Sequence, residues 1–167
     1  MEIRAEVGAD RAAVRALNRA AFESDAEADL VDALRRQADP CISLVAEEAG
    51  EIVGHIMFSP ALVTADANLR AMALGPMAVL PARQNKGVGS ALVRAGLEQC
   101  RLAGCVAVFV LGHARYYPRF GFLPASRFGI SSVYDVPDEA FMALELDPGA
   151  LTDKAGKMHY HSAFAGL

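Results

Sequence analysis

The sequence predicts a single α/β domain, residues 1–167, whose sheet is mostly antiparallel but contains a central parallel pair of strands. Three observations lead to this fold class. Of the 167 residues, 53% are hydrophobic and 22% are charged, so the chain can bury a core without metal or disulfide bonds. Short β-branched runs alternate with amphipathic stretches. A strand, a long helix and a buried strand follow one another between Ala71 and Leu111, which predicts a right-handed parallel crossover.

Two helices are expected in the N-terminal part of the chain. The first follows a strand at residues 3–7 and has Asp10 as its expected N-cap. Its expected inward positions are Ala13, Leu17 and Ala20. The second is expected at residues 27–37 and ends before Pro40. Its expected inward positions are Leu30, Val31 and Leu34.

Three strands and the crossover helix come next. Residues 42–47 and 51–63 read as a hairpin joined at Ala49-Gly50. Residues 71–80 form a fourth strand interrupted by Gly75-Pro76, and a helix follows that starts at Gly87 and stops at Gly104. The helix positions expected to face inward are Val88, Ala91, Leu92, Ala95 and Leu102.

The remaining elements are short. Residues 106–111 predict a buried strand parallel to the fourth, and a short helix is expected near residues 115–120. Further strands are expected at residues 122–125, 141–146 and 158–164.

Composition excludes several classes of protein. No apolar run reaches the roughly 18 to 20 residues of a membrane-spanning helix. The net charge is −4, whereas a protein that binds nucleic acid usually has a basic face. The first six residues lack the pattern of a signal peptide, so we expect a cytoplasmic location. The cysteines, Cys41, Cys100 and Cys105, lie in apolar stretches without metal-ligand spacing, and we expect reduced thiols and no metal site.

Residues 83–90 predict a binding site for a phosphate group. Gly87 and Gly89 open the crossover helix, where unpaired backbone N–H groups and the helix dipole favour an anion. Asn85 tolerates a left-handed conformation, and Arg83 and Lys86 can add charge attraction. A P-loop and a dinucleotide fingerprint both fail to match. A bare G-x-G also serves as a simple helix entry turn, so this pattern alone leaves both interpretations open.

Two motifs together resemble the GNAT superfamily of N-acetyltransferases. The first is Gln84-Asn85-Lys86-Gly87-Val88-Gly89, which matches the family signature of Gln or Arg, two residues, Gly, one residue, then Gly or Ala. The second is Tyr117-Pro118-Arg119-Phe120-Gly121-Phe122, in which a Tyr stands four residues before a Gly-Phe pair. The resemblance covers roughly residues 3–146, and residues 111–122 are similar to the YhbS-type subgroup in particular.

The resemblance implies a fold and a cofactor. The fold is a twisted mixed sheet of about seven strands flanked by about four helices, with the fourth and fifth strands splayed apart. Acetyl-CoA is the implied co-substrate, without a metal. Its pantetheine arm would lie along Met77, Ala78 and Val79. Its pyrophosphate would be held by Gln84, Asn85, Lys86, Gly87, Val88 and Gly89, with Ser90 in the same helical turn.

The resemblance also implies direct attack of an amine on the thioester. It assigns the acid that protonates the departing thiolate to the Tyr117 hydroxyl, while Tyr116 is interpreted as a packing residue. A half-buried packing role is the alternative for Tyr117. The fourth strand contains no Glu, Asp or His to act as the base. His113 is the best-placed candidate, although a structural role in the Gly112 turn fits it equally well.

Three other candidates for the base have simpler explanations. His55 is interpreted as a buried, hydrogen-bonded histidine. Glu23 and Glu27 belong either to a solvated helix face or to a surface that attracts a cationic substrate. His159 and His161 are considered separately, as zinc ligands: they alternate around Tyr160 as in an exposed strand and lack a third ligand, so no zinc site is expected.

The sequence leaves the acceptor and two other functions open. A small-molecule or peptide amine fits the implied reaction, and neither a nucleic acid nor a membrane is expected as partner; a homodimer is left open. The alternatives are a GNAT-fold sensor that binds acyl-CoA without turnover and a scaffold that binds no nucleotide. The walls of the amine site are expected from the connection between the first two helices and from residues 127–138.

Overall fold

A computed structural model describes residues 1–166, in which nine strands form one sheet. The main path of this sheet runs in the order β1-β2-β3-β4-β5-β8-β6, and β9 pairs with both β3 and β7. The strands are β1 (Glu2–Ala5), β2 (Ile42–Glu48), β3 (Glu51–Val63), β4 (Asp66–Val79), β5 (Ala107–Leu111), β6 (Leu123–Pro124), β7 (Ile130–Ser132), β8 (Phe141–Glu145) and β9 (Gly156–His159).

Three α-helices pack against this sheet in the described part of the chain. They are α1 (Arg11–Phe22), α2 (Ala26–Gln37) and α3 (Val88–Leu102). Short 3-10 helices lie at Gly8–Asp10, Pro81–Arg83, Tyr117–Phe120, Ala125–Phe128, Asp138–Ala140 and Ser162–Gly166. Within residues 1–166, every helix is too short or too polar to cross a membrane.

The predicted parallel pair is confirmed, and it is paired along only part of its length. β4 and β5 run parallel from Ala71 opposite Ala107 to Leu74 opposite Val110. Beyond Leu74 the register of β4 against β3 shifts, because Gly75 and Pro76 form a bulge. Proline has no N–H to donate to a ladder, so the pairing of β4 with β5 ends there. The two strands diverge from this point.

The inward face of α1 differs from the prediction. Ala13 and Ala20 are exposed, whereas Val14, Leu17 and Asn18 are buried. Alanine is small enough for either face of a helix, so the larger Val14 fixes the rotation of α1 about its axis. Asn18 is accommodated in the core because its Nδ2 donates to the Val14 carbonyl at 3.0 Å.

Asp10 precedes α1 as predicted, but its side chain does not cap the helix. Its carboxylate instead accepts hydrogen bonds from the Arg4 guanidinium at 2.8 and 3.0 Å and from the Val7 N–H at 2.8 Å. The Arg4 guanidinium lowers the pKa of Asp10 to about 2, and the Val7 hydrogen bond acts in the same direction. Asp10 therefore ties β1 to the start of α1.

The predicted inward face is confirmed for α2 and only partly for α3. Leu30, Val31 and Leu34 are buried in α2 as predicted. In α3, however, Leu102 is 71% exposed and Cys100 is buried in its place. The helix lies so close to the sheet at Gly96 that a side chain there would collide with the Phe58 ring at 2.2 Å.

Several short elements also differ from the prediction. The segment near residues 115–120 forms a 3-10 helix, so the α-helices number three rather than four in the described chain. The strand expected at residues 158–164 is shorter and ends at His159, where a 3-10 helix follows at Ser162–Gly166. β7 was not predicted, because a three-residue strand depends on its tertiary partner β9 rather than on its own sequence.

Candidate functional site

A cleft of about 570 Å³ opens where β4 and β5 diverge. One side is formed by β4 and the end of β5, and the other by α1, α2 and the last part of the chain. The lining residues are Phe22, Glu27, Leu30, Leu74, Gly75, Pro76, Met77, Val110, Leu111, Gly112, His113, Tyr117, Tyr134, Tyr160 and Phe164.

The edge of β4 presents backbone polar groups to this cleft. The Leu80 N–H donates to the Val53 carbonyl at 2.9 Å. Backbone N–H and C=O groups alternate in direction along a strand, so this bond shows which residues near Leu80 direct theirs towards β3. By this alternation the N–H and C=O groups of Ala78 point towards β3. Those of Met77 and Val79 point away from β3, towards the space that β5 has left. Of the three residues predicted to contact the pantetheine arm, 77–79, only Met77 and Val79 therefore direct their backbone groups away from β3.

The predicted phosphate site forms an exposed turn at the start of α3. Asn85 and Gly87 both have positive φ, 62° and 86°, a conformation that asparagine and glycine tolerate best. Gly87 is the N-cap of α3, and Val88 points into the core and fixes the first turn. The Gln84 side chain donates to the Val79 carbonyl at 3.1 Å and so ties the turn to β4. A side chain at Gly89 would lie 3.6 Å from the Met77 Cε, so the first turn of α3 lies beside β4.

Tyr116 contacts the start of α3, a contact that the sequence interpretation missed. Its hydroxyl lies 3.0 Å from the Ser90 Oγ, in the first turn of α3. A side chain at Gly89 would meet the same hydroxyl at 3.2 Å. The pair of adjacent tyrosines was the sequence signal for two separate contacts, because neighbouring residues of a tight helix point in different directions. Tyr116 points to the helix start and Tyr117 to the cleft.

The two basic side chains near the turn differ in their surroundings. Arg83 is held by Glu48 in an ion pair, so its charge is already compensated. Lys86 is exposed on the turn itself. Of these two side chains, Lys86 is the better placed to meet an anion.

The Tyr117 ring is fixed at the wall of the cleft. The residue is 7% exposed and packs edge-on against Phe122, with ring centroids 5.7 Å apart. It also lies over Gly112, where any side chain would meet the ring at 2.5 Å. Burial raises the pKa of Tyr117 to about 12, so the hydroxyl keeps its proton at neutral pH. The arrangement provides a rigid neutral hydroxyl beside the place where β4 and β5 part.

Two of the four candidate bases line the cleft. His113 is exposed at the end of β5, and Glu27 projects from the first turn of α2. One carboxylate oxygen of Glu27 is buried without a hydrogen-bond partner. Glu23 lies on the surface outside the cleft lining.

His55 is fully buried, as predicted, and lies outside the cleft lining. Its Nε2 is 2.8 Å from the Ser43 Oγ, and Ser43 also contacts the Glu6 carboxylate at 3.0 Å. A carboxylate only accepts, so Ser43 donates to Glu6 and His55 donates to Ser43. Burial lowers the pKa of His55 to about 4. This geometry is the reverse of a serine activated by histidine, and the cluster is structural.

Comparison with known proteins agrees with this geometry. The model of the acetyltransferase (GNAT) family matches residues 11–122. The chain is 44% identical over 134 residues to the uncharacterized N-acetyltransferase YjhQ of Escherichia coli K12, covering 78% of this chain and 74% of YjhQ. It is 34% identical over 165 residues to the uncharacterized N-acetyltransferase YhbS of the same strain, covering 98% of each.

Solved structures give the same result. The crystal structure of YhbS from Escherichia coli in complex with CoA matches with a TM-score of 0.92 and 34% identity, over 98% of this chain and 91% of that one. A GNAT family acetyltransferase from Brucella melitensis in complex with acetyl-CoA matches with a TM-score of 0.81 and 38% identity, over 98% and 97%. The similarity predicted from residues 111–122 is confirmed.

Proposed function

The chain belongs to the GNAT family of acetyltransferases, and we propose that it transfers the acetyl group of acetyl-CoA to a primary amine. The observation that carries this proposal is the divergence of β4 and β5 directly beside the first turn of α3. An extended thioester arm can lie along the free edge of β4 while its pyrophosphate meets the helix N-terminus. Both contacts use backbone groups, which explains the small residues in this turn.

The cofactor contacts follow from the direction of these groups. The N–H and C=O groups of Met77 and Val79 bind the pantetheine amides as a neighbouring strand would. The turn at residues 84–89 and Ser90 bind the pyrophosphate, and Lys86 adds charge attraction. Tyr116 holds the Ser90 hydroxyl in place.

The reaction is a nucleophilic acyl substitution. The neutral amine nitrogen attacks the thioester carbon and forms the C–N bond, which gives a tetrahedral oxyanion. Of the Met77 and Val79 N–H groups, the one nearer the thioester stabilises the oxyanion, and the other is left for the pantetheine arm. The C–S bond then breaks, its electron pair stays on sulfur, and the Tyr117 hydroxyl supplies a proton to the leaving thiolate. The nitrogen, which is positively charged after the attack, loses one proton, and a proton returns through solvent to the Tyr117 oxygen. The products are an amide and the CoA thiol.

The amine must lose a proton before it attacks. An alkylamine with a pKa of about 10.4 is neutral only about once in a few thousand molecules at pH 7. We propose His113 as the base because it lines the cleft and a neutral imidazole nitrogen can accept a proton. His55 is too deeply buried for this role, and Glu23 lies too far from the cleft lining.

Two measurements on the intact chain test the proposed function. Acetyl-CoA should raise the melting temperature, because a ligand that binds only the folded state stabilises it by RT ln(1 + [L]/Kd). S-acetylpantetheine lacks the pyrophosphate and should stabilise less at equal concentration. A thiol-release assay with a panel of primary amines should then detect free CoA. Absence of any shift at millimolar acetyl-CoA contradicts the proposal, and binding without CoA release for any amine indicates a sensor.

A further inference from the structure

The end of the cleft opposite the edge of β4 is lined by aromatic side chains. We call this surface the aromatic wall; it consists of Phe22, Tyr134, Tyr160 and Phe164. Tyr160 stands between Tyr134 and Phe164, with ring centroids 5.4 and 4.9 Å away. Phe22 and Tyr134 are 40% and 42% exposed, so this part of the wall is open to solvent. The wall offers an apolar surface in which the Tyr160 ring is tilted by 31° to Tyr134 and by 42° to Phe164.

A single carboxylate faces this aromatic wall. Glu27 is the one acidic residue among the cleft-lining residues of the described chain, and no Lys or Arg lines the cleft there. One of its oxygens is buried and makes no hydrogen bond, and the Tyr160 hydroxyl is likewise buried without a partner. A buried polar atom left unpaired is costly, so a ligand that satisfies it gains affinity.

We propose that the acceptor is a primary amine with one positive charge on an apolar, preferably aryl, body. The inference rests on the proposed acetyl transfer and names the class of amine that the cleft selects. The ammonium group pairs with Glu27, and the apolar body packs on the aromatic wall.

The same lining discriminates against other amines. An amino sugar or polyamine carries several ammonium groups, and the cleft provides one carboxylate, so the remaining charges would lose hydration without an ion-pair partner. A free amino acid carries a carboxylate beside its amine, and no lysine or arginine in the described lining compensates that charge next to Glu27. Both classes therefore lose affinity relative to a simple arylalkylamine.

An acceptor comparison provides the first test. With saturating acetyl-CoA, kcat/KM for 2-phenylethylamine should exceed that for tobramycin and for phenylalanine by roughly tenfold or more. Equal or better use of tobramycin or phenylalanine overturns the inference. If another class of amine releases CoA and 2-phenylethylamine does not, acetyl transfer stands and the acceptor class is wrong.

Substitution of Glu27 provides the second test and needs no turnover. We would measure calorimetric binding of 2-phenylethylamine and of its uncharged analogue 2-phenylethanol to the parent chain and to Glu27→Gln. The substitution should weaken amine binding by about tenfold while changing alcohol binding by less than about twofold. The matched control, Glu23→Gln, removes the same charge outside the cleft lining and should change neither.

Glu27 also has a possible structural role, because an acidic residue in the first turn of α2 complements the helix dipole. A purely structural role would weaken both ligands equally or lower the melting temperature without selective loss of the amine. Either result overturns the inference, as does a lack of binding by 2-phenylethylamine to the parent chain. This binding test remains valid if acetyl-CoA itself fails to bind.

Discussion

The proposed cofactor end of the cleft is built from backbone groups of one short segment, whereas the acceptor end is built from side chains of several distant segments. The cofactor end comprises residues 77–79 and 84–90, which are nearly continuous in the chain. The acceptor end comprises Glu27 and the aromatic wall, whose members come from α1, from the loop after β7 and from the last residues described.

The difference shows how the two ends achieve selectivity. Backbone groups recognise a shape and a charge that every acyl-CoA shares, and small residues such as Gly89 keep them accessible. Large side chains such as Tyr160 recognise a particular body and a particular charge. In the proposed reaction the cofactor end therefore suits one constant ligand, and the acceptor end determines the choice of amine.

The largest expected effect is at Tyr117, which stands between the two ends. Tyr117→Phe keeps the ring and its packing on Phe122 and Gly112, so binding at both ends should change little. Loss of the hydroxyl should lower kcat by about 100-fold to 10,000-fold, as is usual for a positioned acid, with a small change in KM for acetyl-CoA. Steady-state kinetics with an accepted amine measure both quantities.

Tyr116→Phe is the matched control for this substitution. It removes the hydroxyl that contacts Ser90 and should raise KM for acetyl-CoA while leaving kcat nearly unchanged. If Tyr117→Phe turns over at the parent rate and His113→Ala is inactive, the proton chemistry belongs to His113 instead.

Acid should disable both ends together, because His55 lies outside the cleft and acts on the whole fold. In the folded chain its pKa is about 4, whereas its ordinary pKa is 6.5, so between these values only the unfolded chain takes up the proton. Stability should therefore fall by about 3 kcal/mol as the pH drops from 6.5 to 4. Urea unfolding at a series of pH values measures the free energy.

His55→Gln should flatten this part of the profile. Glu6 and Arg35 are the nearby charged groups, and Asp10, with a pKa of about 2, contributes only at lower pH. If the free energy of unfolding of this variant falls between pH 6.5 and 4 as steeply as that of the parent, groups other than His55 cause the acid sensitivity.

A smaller effect, confined to one end, is expected for Gly89→Val. The new side chain would stand against the Tyr116 hydroxyl and cover the N–H groups of the first turn of α3. The Kd for acetyl-CoA should rise by about tenfold or more, as for the loss of one or two hydrogen bonds to a charged group. Binding of 2-phenylethylamine should stay within about twofold of the parent.

The control for Gly89→Val is Gln99→Val, a β-branched residue at an exposed position of the same helix. It places the same β-branched side chain in α3 away from the turn and should leave acetyl-CoA binding intact. Weakening of both ligands by Gly89→Val would show that the two ends are not independent.

The helices show which fold features a sequence pattern can predict. In α2 the inward positions are large and apolar, so Leu30, Val31 and Leu34 identify the buried face directly. In α1 the alanines expected to face inward, Ala13 and Ala20, are exposed. The buried Asn18 becomes acceptable only through its bond to the Val14 carbonyl. Periodicity therefore predicted that α1 exists, and packing decided its rotation.

The sequence by itself determined the family, the parallel crossover and the position of the turn that we propose as the phosphate site. These features depend on residues close together in the chain: a strand, a turn with two glycines and an amphipathic helix. Local sequence specifies such a turn because positive φ and backbone access require particular residues, as at Asn85 and Gly87.

Only the tertiary structure decided the acceptor end and the different roles of the candidate residues. In the folded chain Glu27 lines one cleft with Tyr134 and Tyr160, and His55 is buried in the core. The Tyr116 hydroxyl contacts Ser90. None of these outcomes follows from spacing along the chain. Contacts between distant segments depend on how α2 and the C-terminal segment pack around the divergence of β4 and β5, and that packing is a property of the whole fold.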